Sequence, residues 1–110
     1  MTWSRSAYAA LPLALVLSGA GPPMQARAAT GRRTVVIENM QFTPATIRLR
    51  TGDTVAWVNR DLVPHTVTGT GFDSGAIAPS ATWSFTPRKA GRFDYRCTFH
   101  PTMKGVVAVE

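Results

Sequence analysis

Three residues with metal-binding side chains lie close together near the C-terminus. They are Cys97, His100 and Met103, in the spacing Cys-x2-His-x2-Met. Cys97 is the only cysteine of the chain, and the only histidine besides His100 is His65, directly after Pro64. A thiolate, an imidazole and a thioether are soft or borderline metal ligands. These residues are therefore candidates for one metal site.

The set of donor atoms favours copper over other metals. A thiolate and two imidazoles with a weak axial thioether are typical of a blue-copper electron-transfer site, whereas zinc sites use Cys, His, carboxylate or water rather than Met. A single cysteine excludes a binuclear copper centre with two bridging cysteines, and two histidines are too few for a trinuclear cluster. We predict one type 1 copper ion bound by His65, Cys97, His100 and Met103.

Each of these residues also has an ordinary structural interpretation. Met103 could be a core or surface methionine, His65 a strand histidine and Cys97 a buried inert thiol. A nucleophilic Cys–His pair is a further alternative. It would leave Met103 unexplained, and the segment 98–102 offers no Asn or Asp to orient a base. We therefore predict that the protein is not an enzyme.

The first 28 residues are typical of a secretory signal peptide. Arg5 precedes the nearly unbroken apolar run of residues 7–17, and residues 26–28 (Ala-Arg-Ala) form a small-x-small cleavage pattern. The run is about half of the roughly 20 apolar residues that a membrane-spanning helix needs. We predict that residues 1–28 are a Sec-type signal peptide cleaved after Ala28, with cleavage after Ala29 as the alternative. The protein is then periplasmic and has no stable membrane anchor.

The remaining residues, 29–110, are predicted to form one small domain. Small exported domains often contain disulfides, but one cysteine cannot form an internal disulfide. A bound metal would protect the Cys97 thiolate and add folding energy that a modest core lacks.

The charge of the chain indicates little about specific partners. The formal net charge is +6, from 12 Lys and Arg against 6 Asp and Glu. The basic residues are scattered, so nucleic-acid binding is not predicted. A soluble surface explains the charge most simply, with electrostatic steering toward an acidic partner as the alternative. We predict a monomer that meets redox partner proteins.

Short apolar runs separated by Gly and Pro predict an all-β fold. No segment keeps a 3.6-residue apolar period over ten or more residues, whereas several alternate with a period of two. About seven closely spaced strands favour an antiparallel Greek-key β-sandwich. Because one predicted strand ends at Cys97 and the next begins at Gly105, the ligand loop joins two core strands. The predicted strands are Arg32–Glu38, Ala45–Arg50, Thr54–Asn59, His65–Thr70, Ala81–Thr86, Arg92–Cys97 and Gly105–Glu110.

Over residues 34–110 the sequence resembles the cupredoxins, specifically the amicyanin and plastocyanin-like group. The short Cys-x2-His-x2-Met loop is the amicyanin form. The resemblance implies a cupredoxin-like sandwich that shuttles single electrons by Cu(I)/Cu(II) cycling, with Met103 as axial ligand and His100 at an apolar end where the electron leaves. It depends on Gly52-Asp53-Thr54-Val55 with Trp57 and Asn59, Pro64-His65, Phe93-Asp94-Tyr95, and Cys97-Thr98-x-His100-Pro101-x-Met103-Lys104-Gly105.

Two positions depart from the amicyanin pattern. Phe99 replaces a proline, which has no N–H. We hypothesise that the Phe99 N–H donates to the Cys97 sulfur and raises the reduction potential, with an exposed aromatic at a partner surface as the alternative. Thr66 replaces an Asn that ties the two ligand loops, so either the tie is weaker or the Thr66 hydroxyl substitutes for it. Amicyanins have a dehydrogenase as redox partner, but the resemblance does not predict the same partner for this chain.

Copper storage or delivery in the periplasm is the alternative function. Delivery proteins tend to use several Met or His ligands at exposed, exchangeable sites. Met40 is the only methionine besides Met103 in the predicted domain, so the sequence favours the electron carrier.

Overall fold

The computed structural model describes residues 2–4, 10, 12 and 31–110. The predicted signal peptide therefore lies almost entirely outside the described residues. Within the described part, no helix is long and apolar enough to cross a membrane. The strands are β1 (Arg32–Glu38), β2 (Gln41–Thr43), β3 (Thr46–Leu49), β4 (Thr54–Asn59), β5 (Thr68–Gly69), β6 (Phe72–Asp73), β7 (Thr82–Phe85), β8 (Gly91–Arg96) and β9 (Lys104–Val109).

The strands form two sheets that enclose one core. One sheet has the order β2-β1-β4-β7 and the other has the order β3-β9-β8-β5-β6. Buried and exposed side chains alternate along β3 and β9, as expected for strands with one face toward the core. The predicted all-β sandwich is confirmed.

The described residues form nine strands rather than about seven. The two additional strands, β2 and β6, have three and two residues, too few for an alternating pattern to show in the sequence. The strand predicted at His65–Thr70 is reduced to β5, and His65 itself forms an isolated bridge with Ile77. The backbone N–H groups of Thr66 and Val67 donate to the side chains of Cys97 and Ser74 rather than to a neighbouring strand, so only Thr68–Gly69 is paired as a strand.

Two strand pairs differ from the antiparallel arrangement that the sequence predicts. β1 pairs with β4 in parallel, and β3 pairs with β9 in parallel. Only strands joined by a hairpin must be antiparallel, and the chain visits the opposite sheet between the two members of each of these pairs. Strand direction across such crossovers cannot be read from local alternation.

Aromatic side chains form the centre of the core. Trp57 of β4 is fully buried and contacts Tyr95 of β8 edge-on, with 5.4 Å between ring centroids. Tyr95 also meets Phe42 edge-on at 4.8 Å. Since Trp57 and Tyr95 come from different sheets, this contact joins the sheets close to Cys97, which follows Tyr95 by two residues.

Gly105 at the start of β9 makes room for Tyr95. The two residues are paired across β8 and β9, and a Cβ atom at Gly105 would overlap the ring and hydroxyl of Tyr95. Glycine is therefore required where the ligand loop enters β9, because any side chain would displace the aromatic centre of the core.

Gly105→Ala should lower the free energy of unfolding of the metal-free domain by about 1–3 kcal/mol, the usual cost of overpacking. Urea denaturation measures this change. Gly31→Ala is the matched control, because its Cβ would meet Asp53 at an ordinary distance of 3.5 Å. Equal effects of the two substitutions would contradict the packing argument.

Tyr95 also links stability to alkaline pH. Burial raises the pKa of Tyr95 to about 12 from its ordinary 10.0. Because the folded pKa lies above the unfolded one, the neutral phenol stabilises the fold fully below pH 10, and this contribution is lost as pH rises through about 12.

Tyr95→Phe keeps the ring but removes this titration. The urea midpoint of the unsubstituted domain should fall more steeply between pH 10 and 12 than that of Tyr95→Phe. Parallel pH profiles of the two proteins would show that ionisation of Tyr95 is not coupled to folding.

Candidate metal centre

Backbone hydrogen bonds close the loop that contains three of the predicted ligands. Arg96 and Lys104 are the last residue pair of β8 and β9. Beyond them, the Cys97 N–H donates to the Met103 carbonyl at 3.1 Å, and the Met103 N–H donates to the His100 carbonyl at 2.9 Å. The loop is therefore fixed at both ends by the sheet and by its own turn.

His65 reaches the same place from a separate segment between β4 and β5. Its N–H donates to the Ile77 carbonyl at 3.2 Å and its carbonyl accepts from the Ile77 N–H at 2.7 Å. The fully buried amide of Asn59 donates to the carbonyls of Val63 and Ile77, both at 2.9 Å. Asn59 thus holds together the two segments that position His65.

The side chains of the predicted ligands converge. His65 Nδ1 lies 3.7 Å from Cys97 Sγ, and His100 Nδ1 lies 3.8 Å from it. The three candidate ligand atoms all lie within 4.8 Å of one another. His65 and Cys97 are fully buried, whereas His100 is partly exposed. Met103 is buried in the same loop, so the structure brings all four predicted residues together.

The spacing of these atoms fits a shared metal ion. In zinc sites the metal–sulfur bond is about 2.3 Å and the metal–nitrogen bond about 2.0 Å. With a sulfur–metal–nitrogen angle near 120°, such bonds place the sulfur and nitrogen atoms about 3.7 Å apart. The observed nitrogen–sulfur distances are 3.7 and 3.8 Å. Together with the buried thioether residue, this donor set suits copper.

Asp61 forms a hydrogen bond with the His65 ring. Its Oδ2 lies 2.8 Å from His65 Nε2, so Nε2–H donates to the carboxylate and the Nδ1 lone pair faces the sulfur. Burial tends to raise the pKa of Asp61, but hydrogen bonds from Met40, His65 and Asn39 outweigh it and hold the pKa below its ordinary value. Sequence reasoning missed Asp61, although a histidine ligand commonly has such a carboxylate partner.

The predicted hydrogen bond from the Phe99 N–H to the Cys97 sulfur is not found among the described residues. The backbone N–H that donates to Cys97 Sγ, among the residues that the structure describes, is that of Thr66, at 3.3 Å. Phe99 is 52% exposed, which agrees with its alternative role as a surface aromatic. The hydrogen bond to the sulfur thus comes from the segment of His65, not from the cysteine loop.

The hydroxyl of Thr66 ties the two ligand segments together. Thr66 Oγ1 accepts a hydrogen bond from the Thr98 N–H at 2.8 Å and lies 3.1 Å from Thr98 Oγ1. Thr68 Oγ1 donates to the same oxygen at 3.0 Å. The Thr66 hydroxyl therefore substitutes for the expected Asn.

Comparison with known proteins agrees with this fold. The family model "Cupredoxin-like domain" matches residues 7–109. Amicyanin from Paracoccus denitrificans is 35% identical over 99 residues, which cover 81% of this chain and 73% of that protein. Amicyanin-alpha from Methylorubrum extorquens is 32% identical over 112 residues, or 96% of this chain and 94% of that protein.

A solved structure of the Cu(I) form of an amicyanin mutant has the same fold. It superposes with a TM-score of 0.70 at 35% identity, over 77% of this chain and 88% of that one. Since the family match spans almost the whole sequence and the related structure contains copper, this chain belongs to the cupredoxin family.

Proposed function

We propose that this protein is a small exported blue copper protein that carries single electrons between redox partners. The proposal depends mainly on one observation, the convergence of His65 Nδ1, His100 Nδ1 and Cys97 Sγ within 4.8 Å. His65, Cys97 and His100 would hold the ion with Met103 as the fourth ligand. The bound copper would supply a one-electron Cu(I)/Cu(II) couple.

Hydrogen bonds within the chain hold the segments that carry the candidate ligands. The Cys97 loop is closed by its own backbone hydrogen bonds, and Thr66 ties it to the segment of His65. Ligands that are already positioned need little rearrangement when the charge of the site changes. Such rigidity suits fast electron transfer.

His100 is the ligand that a partner can approach. It is partly exposed, while His65 and Cys97 are fully buried. Exposed apolar side chains occur in the segments that meet at this end, and contiguous apolar surface is typical of interaction sites. A redox protein docking here would come close to the His100 edge. The exposed apolar side chains at this end are Met40, Leu62, Val63 and Phe99.

Export and domain boundaries complete the proposal. Residues 1–28 would be removed on export to the periplasm, and residues 29–110 would function there as one monomeric copper-binding domain. The similarity to amicyanins supports a redox protein as partner. The positive net charge is compatible with a partner that has an acidic surface.

The structure offers less support for the other candidate functions. A copper delivery protein needs ligands that exchange readily, but Cys97, His65 and Met103 are all at most 4% exposed. A nucleophilic cysteine needs access to substrate, and Cys97 has none. We therefore favour a carrier over both copper delivery and enzymatic catalysis.

Copper loading tests the proposed function directly. The metal-free domain should bind one Cu(II) and develop a strong visible thiolate-to-copper charge-transfer band, which one electron equivalent bleaches reversibly. Cys97→Ser should abolish the band, whereas Thr102→Ala, an exposed position in the same loop, should retain it. A colourless complex that loses copper to a modest chelator would instead indicate storage or delivery.

Substitution of Thr66 tests the tie between the ligand segments. Thr66→Val leaves the Thr98 N–H without its acceptor and should lower the free energy of unfolding of the metal-free domain by about 1–2 kcal/mol. Thr66→Ser retains the hydroxyl and should recover most of this loss. Urea denaturation measures both variants, and an equal loss for Val and Ser would rule out the hydroxyl as the tie.

A further inference from the structure

Asp61 connects His65 to a surface turn at the edge of the sheet β2-β1-β4-β7. Its Oδ1 accepts from the Asn39 N–H at 2.8 Å, and its Oδ2 accepts from both the Met40 N–H at 3.0 Å and His65 Nε2 at 2.8 Å. The Asp61 N–H in turn donates to the side-chain oxygen of Asn59 at 3.0 Å. The carboxylate is largely buried, with 13% of the side chain exposed.

The turn that Asp61 binds has an unfavourable backbone conformation. Asn39 and Met40 form the two-residue connection between β1 and β2, and their φ angles are 54° and 58°. Positive φ is uncommon for residues other than glycine, although Asn tolerates it better than most. Hairpins of this kind usually carry glycine, often as Asn-Gly. The carboxylate compensates by accepting hydrogen bonds from both turn amides.

The same carboxylate oxygen therefore serves two groups. Oδ2 binds the turn through Met40 and the imidazole through His65, while the opposite edge of that ring directs Nδ1 toward Cys97 Sγ at 3.7 Å. A shift of the turn would move the atom that sets the rotation and the tautomer of His65.

We propose that Asp61 is a positioning residue that couples the Asn39–Met40 turn to the metal ligand His65. It holds Nε2 protonated, so that Nδ1 presents its lone pair, and it keeps the ring in the plane that the site requires. The role in metal binding depends on the proposed function, whereas the role in orienting His65 concerns the protein chain alone.

The substitution Asp61→Asn removes the charge while preserving the shape of the side chain. Asp53→Asn is the matched control, since Asp53 accepts hydrogen bonds from two backbone amides, of Gly31 and Arg50, at 2.7 and 2.8 Å. Asp53 has no hydrogen bond to a histidine among the described residues. The control thus reproduces the loss of a turn-binding carboxylate without the loss of a contact to His65.

The first measurement uses the metal-free domain. Nitrogen–proton correlation spectra of the imidazoles at mildly alkaline pH should show His65 as the Nε2–H tautomer in the unsubstituted and Asp53→Asn proteins. Asp61→Asn should show a mixture of tautomers and faster exchange of the ring N–H. A His65 spectrum unchanged by Asp61→Asn would overturn the proposal, because Asp61 would then bind the Asn39–Met40 turn without orienting His65.

The second measurement uses the copper-loaded domain. Competition with a chelator should give a copper affinity about 10- to 100-fold lower for Asp61→Asn, the usual effect of losing the partner of a histidine ligand, and an unchanged affinity for Asp53→Asn. If both carboxylate variants lose affinity equally, Asp61 acts only through general stability and the proposal fails. If the unsubstituted domain binds no copper, the proposed function fails, while the tautomer result still decides the orienting role.

A second variant covers the case in which Asp61→Asn does not fold. Met40→Gly creates the favoured Asn-Gly turn, so the double variant Met40→Gly/Asp61→Asn should form the turn without the carboxylate. Its His65 tautomer should remain mixed. A single Nε2–H tautomer in this double variant would overturn the proposal.

Discussion

A fully buried sulfur atom constrains this whole end of the sandwich. Cys97 Sγ lies 3.7 and 3.8 Å from two imidazole nitrogens and 3.3 Å from the Thr66 N–H. Polar groups taken out of water need partners, so the loops that surround the sulfur must satisfy one another. Asn59, Asp61 and Thr66 do so with hydrogen bonds between segments, and the site is rigid as a result.

The sequence was informative wherever a residue type was rare or a pattern was regular. One cysteine and two histidines leave few possible arrangements, so the four ligand candidates could be named and their convergence expected. The period-two pattern likewise predicted a strand at Arg92–Cys97, and in the structure Tyr95 and Cys97 of this segment are buried on the core side. Both predictions use only residue types and their spacing, so they do not require knowledge of the path of the chain.

Features that depend on the path of the chain were not predictable. The parallel pairings of β1 with β4 and β3 with β9 follow from crossovers between sheets. Such crossovers do not change the alternation of apolar and polar residues along a strand. The donor to the cysteine sulfur is 31 residues away, not in the neighbouring loop where Phe99 suggested it. Asp61 looked like any other loop carboxylate, because its partners Asn39 and Met40 are close only in the folded chain.

The positions of the four candidate ligands along the chain have a consequence for the order of assembly. Cys97, His100 and Met103 lie within one short segment, so bringing them together costs little loop-closure entropy even in an unfolded chain. His65 is 32 residues from Cys97 and joins them only when the segments carrying Asn59, Ile77 and Thr66 have docked. A metal ion captured early would meet three ligands first, and the arrival of the imidazole of His65 would mark completion of the native topology.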